Sequence, residues 1–314
     1  SCLSHAAEDA ADHVVAEDED LYWADKKTKA TFHAIAPKDI TEGEYQVKGG
    51  EDAEGYAAAS DCRTNQEDII VAYNEGVKKD FISGVPINFR HVLSRVQFKA
   101  VNKDYTNGMF LEVMGMKLVN ISSKANLSYP NVPTGDGFVW EKYSPWATVS
   151  TSQWFYAKSD NMISILPTAA NMITGDDFYL MPQQLEAADS EFLKQTDDKS
   201  KAYVSFLIRA YYDNDSQASK TVKAAANTHK NIWPYGVVST SFYRSSDNKE
   251  FADGKFVDKT TYDALEESEK TKITMCSADH GYAWAVVPID TNWEPGKKYV
   301  YTLNYSCRYR YDRS

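Results

Sequence analysis

The sequence lacks the features that would assign it to a membrane-spanning or a nucleic-acid-binding class. No apolar run reaches the length of about 18 residues that a transmembrane helix requires. Basic residues are scarce, since 34 Lys and Arg stand against 45 Asp and Glu and give a net charge of −11. This balance disfavours nucleic acid and anionic lipid surfaces as partners, because both need clustered positive charge.

Cysteine is also sparse, with four residues and no CxxC spacing, so a zinc knuckle or a thioredoxin-like site is unsupported. The internal cysteines are interpreted as buried thiols or incidental residues. Cys2 differs because a polar, acidic stretch follows it, as at the start of a lipoprotein whose signal peptide has been removed. Cys2 is therefore the candidate lipidation site, although a trimmed terminus fits equally well. Any membrane attachment would be through this lipid.

The sequence contains no motif for a common catalytic site. Its six histidines never occur at HExxH or HxH spacing, and it has neither a GxSxG elbow nor a GxxxxGK[ST] phosphate loop. The stretch Asp213–Gln217 begins like a calcium loop but lacks the later Gly and Glu, so a solvated turn is the better interpretation. We predict no catalytic, cofactor-binding or metal-binding residues, and no enzyme activity.

Aromatic and apolar residues are abundant. The chain has 21 Tyr, 13 Phe and 7 Trp, and 43% of its residues are hydrophobic, which argues against disorder and favours β-structure. A length of 314 residues suggests about two domains. We predict a flexible acidic arm over residues 1–20, a first domain over 21–150 and a second over 151–314. The boundary is placed at a Ser/Thr-rich segment between Trp146 and Trp154.

Several segments alternate with the period of two that is typical of strands. They include Thr31–Ala36, which ends at a proline, and Val96–Ala100, in which Val96, Phe98 and Ala100 share one face. The dipeptide Asn107-Gly108 predicts a hairpin that joins this second strand to the next.

The last segment has the longest alternation. From Tyr299 to Tyr311, every second residue is apolar or aromatic over 13 residues. At ~3.3 Å per residue this would be about 43 Å of strand, roughly twice a typical length. Such a face needs either a long sheet or a second molecule to cover it. The candidate contact face consists of Tyr299, Tyr301, Leu303, Tyr305, Tyr309 and Tyr311.

The order of several segments resembles a known family. They are Tyr22-Trp23 with Ala30–Pro37, Asp68–Ala72, Val85–Val96 with its Phe89-Arg90-His91-Val92-Leu93-Ser94 core, Tyr179–Gln183, and Trp293-Glu294-Pro295-Gly296-Lys297-Lys298-Tyr299-Val300-Tyr301-Thr302-Leu303. Together they resemble the Bacteroidales fimbrillin-like family, the surface proteins of major and minor fimbriae and their relatives.

The resemblance implies an all-β fold of two consecutive β-sandwich (transthyretin-like) domains, with a structural or adhesive role and no catalysis. It further implies export as a lipoprotein to the outer membrane, and removal of an N-terminal strand by a protease. A strand from a neighbouring subunit would then fill the groove, so that the partners are other fimbrial subunits, of the same or a related chain.

Two departures from the family pattern bear on the role in the pilus. Arg63 is the first arginine and is the candidate processing site, but no residue pattern marks the cut. The chain ends eight residues after Ser306, whereas shaft-type relatives usually carry a further terminal strand. A tip or accessory subunit is therefore an open alternative to a shaft subunit.

The aromatic content supports one alternative function, a surface glycan-binding lipoprotein that does not polymerise. The adhesion target under either hypothesis is a host or bacterial surface protein or glycan.

Overall fold

The computed structural model describes residues 25–51, 61–107, 109–173, 175–186, 201–212, 236–238, 255–257, 263–270, 273–275 and 282–305. Strands dominate these residues, which confirms the predicted all-β class. Helical structure in the described ranges is limited to Asp263, to one turn at Glu267–Lys270 and to short 3₁₀ segments. The acidic arm predicted over residues 1–20 lies outside the described residues.

Sixteen strands are described along the chain. They are β1 (Ala30–Ala36), β2 (Gly43–Gln46), β3 (Gly50–Glu51), β4 (Ile70–Gly76), β5 (Arg90–His91), β6 (Ser94–Asn102), β7 (Met109–Leu127), β8 (Trp146–Ser164), β9 (Ala170–Asn171), β10 (Phe178–Leu180), β11 (Tyr203–Tyr212), β12 (Gly236–Val238), β13 (Lys255–Val257), β14 (Ile273–Met275), β15 (Tyr282–Pro288) and β16 (Lys298–Tyr305).

These strands form three sheets. The largest has nine strands in the order β14-β12-β13-β8-β7-β11-β15, with β2 added to β7 and β3 added to β8. A four-stranded sheet has β6 between β10 and β16, and β9 also pairs with β6. A three-stranded sheet has the order β1-β4-β5. The strand predicted before Pro37 is β1, which pairs antiparallel with β4 from Ala30 to Ala36.

The four-stranded sheet packs face to face on the nine-stranded sheet. Phe98 on β6 contacts Phe206 on β11 edge to face, with 5.8 Å between the ring centroids. The predicted face of Val96, Phe98 and Ala100 is buried, as the alternation indicated. Burying apolar faces of two sheets against each other is the arrangement by which a β-sandwich forms its core.

The hairpin predicted at Asn107-Gly108 is wrong. β6 and β7 lie in different sheets, so the connection between them crosses from one layer of the sandwich to the other. Both neighbouring strands have their partners elsewhere, since β6 pairs with β16 and β7 pairs with β8.

The boundary predicted at residue 150 falls inside β8. Strand β8 runs from Trp146 to Ser164 and pairs with β7 on both sides of that position, with Ser150 opposite Lys124. Buried residues from both sides also belong to one hydrophobic core. The Ser/Thr-rich segment is part of this strand, in which Val149 and Ser150 are exposed. The chain is therefore continuous at residue 150, and a division into sandwich domains at 21–150 and 151–314 stays a prediction.

Candidate functional site: an edge strand with an aromatic face

Strand β16 is the described part of the long alternating segment. It pairs in parallel with β6, from Lys298 opposite Arg95 to Tyr305 opposite Asn102. In the described part of the chain no strand pairs with its other side, so β16 is an edge of its sheet. Its residues alternate strictly between exposed and partly buried positions, as the sequence predicted.

The aromatic face of β16 is turned inward. The partly buried residues that pack against the main core include Tyr299, Tyr301, Leu303 and Tyr305. Tyr301 stacks on Phe98 with 5.1 Å between the ring centroids and an angle of 14° between the planes. These four candidate contact residues therefore contact the chain's own core in this structure. Tyr309 and Tyr311 lie outside the described residues.

Hydrogen bonds fix the turn that leads into β16. The Trp293 Nε1–H donates to the Tyr301 hydroxyl at 2.9 Å. The Tyr299 hydroxyl accepts from the backbone N–H of Glu294 at 2.8 Å and donates to the carbonyl of Asn292 at 2.9 Å. Since Trp293 is 1% exposed, these bonds anchor the turn on the core. Tyr299 and Tyr301, two residues apart, thus both hold the turn through their hydroxyl groups.

Gly296 allows this turn to lie close to β5. Its φ is +68°, a left-handed conformation that side chains rarely adopt. A Cβ at this position would lie 2.9 Å from the carbonyl oxygen of His91. The Gly296 N–H donates to the Leu93 carbonyl at 3.0 Å. Two of the segments that carry the family resemblance, Val85–Val96 and the one that begins at Trp293, are therefore joined here by backbone contact.

Asp177 joins β16 to β6 through charge. Its carboxylate accepts from Arg95 Nε at 2.6 Å and lies 2.9 Å from Lys298 Nζ. The Asp177 side chain is 5% exposed, whereas both cations are roughly half exposed. The hydrogen bond to Asp177 raises the pKa of Arg95. Sequence reasoning missed Asp177, because no local pattern relates it to partners so distant along the chain.

The side of β16 that faces away from β6 presents backbone groups that no other described strand pairs with. The carbonyl of Lys297 accepts from Arg95 N and the carbonyl of Tyr305 accepts from Lys103 N. Odd-numbered residues of the segment therefore direct their peptide groups toward β6, and the period of two directs those of Val300, Thr302 and Asn304 to the open edge. The side chains of these three residues are exposed.

Arg63 lies in a buried turn. Its guanidinium donates to both carboxylate oxygens of Asp61, at 3.0 and 2.6 Å, and to the carbonyl of Asp176 at 2.9 Å. It also lies over the Phe178 ring at 5.8 Å, and the residue is 7% exposed. A protease that cuts at Arg63 would have to open this turn first, so its processing role stays a prediction.

The cysteines, possible metal ligands and possible membrane helices complete the description of the site. Cys62 is a buried free cysteine, and burial raises the pKa of its thiol. Cys2 lies outside the described residues. Within the ranges given above, no three His, Cys, Asp or Glu side chains are grouped so as to hold a metal ion. No helix in those ranges has the length and apolar character needed to cross a membrane.

Comparisons with known proteins found one matching family model and several similar solved structures. A family model described as fimbrillin-like matches residues 5–232. A fimbrial protein from Bacteroides vulgatus has a solved structure with 10% identity and a TM-score of 0.37, covering 90% of this chain and 69% of that one. A cell adhesion protein from Bacteroides thetaiotaomicron has 8% identity and a TM-score of 0.29, covering 89% of this chain and 66% of that one.

A cell adhesion protein from Bacteroides uniformis has 13% identity and a TM-score of 0.31, covering 83% of this chain and 72% of that one. The chain thus spans about two thirds of the length of the Bacteroides thetaiotaomicron protein. No curated protein matches it significantly. The family model covers well over half of the sequence, and on that basis the chain belongs to the fimbrillin-like family.

Proposed function

We propose that this protein is a structural subunit or a fimbria-associated adhesin of a bacterial cell-surface pilus. The observation that carries the proposal is the fimbrillin-like match over residues 5–232. Such a role places the protein at the cell surface, in a fimbrium or at the outer membrane. Export as a lipoprotein through Cys2 and N-terminal processing belong to the same proposal, as does a tip or accessory position in the pilus.

The open edge of β16 supports assembly by strand addition. An unpaired edge offers a row of N–H and C=O groups to which a strand of a neighbouring subunit can add. The main-chain hydrogen bonds then supply affinity, while alternate side chains determine which strand fits. Exposed Val300 and Thr302 lie on this strand, with Val300 46% exposed. The added strand would come from another fimbrial subunit, of the same or a related chain.

The experiment removes one N–H from the open edge. Thr302→Pro deletes a donor that points away from β6, and edge strands tolerate proline in this position. We expect the variant to fold, as measured by circular dichroism and thermal unfolding, but to be lost from surface fimbriae in immunoelectron microscopy. The matched control Thr302→Ala keeps the N–H and should be incorporated like the wild type.

The outcomes separate two parts of the proposal. Normal incorporation of Thr302→Pro would remove β16 from the assembly mechanism but leave the fimbrial role intact. Absence of the wild-type protein from every fimbrial preparation would overturn the fimbrial role itself.

The alternative of a glycan-binding lipoprotein gains no support from Trp146 or Trp293. Trp146 and Trp293 are buried, and their indole N–H groups donate to Val92 and Tyr301 within the chain. A sugar-stacking platform needs an exposed ring face. Glycan-array binding by a protein that forms no polymer would favour this alternative.

A further inference from the structure

A groove with lysine and apolar walls lies at one end of the three-stranded sheet. Lys26, Lys78, Lys79, Phe81 and Ile82 line a volume of about 380 Å³, and we call it the lysine groove. All three lysines are exposed, and Ile82 is 90% exposed. The volume falls at the lower end of the range typical of ligand sites, roughly 300–1,000 Å³.

The sheet topology brings these residues together. β1 begins at Ala30, opposite Gly76 at the end of β4, so the chain entering β1 and the chain leaving β4 lie at the same end. Phe81 is held there, since its ring meets Phe32 edge to face at 6.0 Å and lies directly over Gly76. Asp80 accepts a hydrogen bond from the Val77 N–H at 3.1 Å, which stabilises the turn.

The charge of the lysine groove is not neutralised within the described residues. Lys29 forms an ion pair with Glu75 nearby. Lys26, Lys78 and Lys79 take part in none of the ion pairs found across the described ranges. Exposed ion pairs contribute little individually. A segment that fits this groove should therefore combine several carboxylates with an apolar side chain for Ile82 and Phe81.

The chain itself contains such a segment directly before Lys26. Residues 17–23 read Glu-Asp-Glu-Asp-Leu-Tyr-Trp, four carboxylates followed by three apolar or aromatic residues. We propose that the lysine groove is the docking site of this acidic segment in the same molecule. A tether of a few residues holds the segment at an effective concentration of the millimolar order, so weak contacts suffice.

Zero-length carbodiimide crosslinking of the full-length chain tests the proposal, with mass spectrometry to locate the bonds. We expect crosslinks from the carboxylates of residues 17–20 to Lys78 and Lys79, at a yield that is independent of protein concentration and falls at least threefold in 1 M salt. Exposed Lys103 lies outside the groove and reports random coupling. Lys27 lies close to residues 17–20 along the chain but does not line the groove. Coupling to Lys27 therefore reports what tethering alone produces.

Ile82→Asp keeps every lysine but removes the apolar contact and adds a repulsive charge. This exposed position should tolerate the change, and coupling to Lys78 and Lys79 should fall severalfold. Leu166→Asp alters another exposed aliphatic residue, 44% exposed, and should leave the coupling unchanged.

Coupling at Lys78 and Lys79 no greater than at Lys103, or unaffected by Ile82→Asp, would overturn the proposal. Crosslinks that join ¹⁴N and ¹⁵N copies in a mixed sample would also overturn it, because they would assign the groove to a second copy of the chain.

Discussion

Two tyrosines on β16 differ in what their hydroxyl groups contact. The Tyr301 hydroxyl accepts from the buried Trp293 indole, whereas the buried Tyr305 hydroxyl forms no hydrogen bond with any of the described residues. Burial raises the pKa of Tyr305. The same residue type on the same face is thus expected to make opposite contributions to stability, because an unmade buried hydrogen bond is costly.

Phenylalanine substitutions measure this difference. Tyr301→Phe should lower the free energy of unfolding by about 1–2 kcal/mol, since it leaves the Trp293 N–H without its acceptor. Tyr305→Phe should be neutral or stabilising by up to about 1 kcal/mol, since it removes a polar group that is already unsatisfied. Urea unfolding followed by tryptophan fluorescence compares the two. Equal losses would show that the hydroxyl contacts do not matter.

Tyr45 on β2 should make stability depend on alkaline pH. Burial raises the pKa of Tyr45 to about 12, with smaller contributions from Glu67 and Asp39. Below about pH 10 the phenol is neutral in both states. Above that pH the unfolded chain loses the proton while the folded chain keeps it, so the free energy of unfolding falls with rising pH, by about 2–3 kcal/mol up to pH 12.

The check is a comparison of unfolding free energies between pH 9 and pH 11.5. Tyr45→Phe should show a shallower decline than the wild type, and a parallel decline would contradict the assignment. Tyr45 packs against Trp146, with 5.7 Å between ring centroids, and the phenylalanine ring can retain that contact.

At the scale of elements, the turn before β16 depends on Gly296. Gly296→Ala would combine a left-handed backbone with a Cβ only 2.9 Å from the His91 carbonyl oxygen. Gly84 also has a positive φ, of +101°, but nothing lies within 4 Å of the corresponding Cβ. Gly84→Ala should cost about 1–2 kcal/mol of unfolding free energy, and Gly296→Ala about 1–3 kcal/mol more.

Chemical denaturation of the two variants tests this difference. A Gly296→Ala variant no less stable than Gly84→Ala would mean that the turn can move away from β5 at little cost. The expected result would explain why the sequence motif around Pro295 requires glycine at this position.

At the scale of the whole molecule, distant parts of the chain complete one another. β6 pairs with β10 and β16, both of which lie beyond residue 150, and β8 crosses that position. A fragment of residues 21–150 would leave β6 without either partner and cut β8 short. We expect this fragment to lack cooperative urea unfolding, whereas the full chain should show it. A cooperative transition in the fragment would support the two-domain division.

The sequence alone predicted much of the local structure, for a physical reason. Alternation records which side of a strand faces apolar surroundings, so the faces of β6 and β16 could be assigned before their partners were known. Proline restricts backbone pairing, so the end of β1 at Ala36 could also be predicted. The order of these segments carried the family resemblance, which the fimbrillin-like match confirms.

The choice of partner was beyond the reach of local pattern. The aromatic face of β16 has to pack against other apolar groups. The period-two alternation is the same whether those groups belong to a second molecule or to the chain's own core. The tertiary structure decided for the core, through Phe98 and Trp293. It likewise placed Asp177 between Arg95 and Lys298 and buried Arg63.

The sequence by itself therefore determined the β class and the buried faces, because these follow from the conformation and polarity of neighbouring residues. Only the tertiary structure decided which strands pair, where the sheets meet and which edge stays open, because such contacts join residues far apart in the chain. Their free energy depends on packing of the whole molecule, which no short segment records.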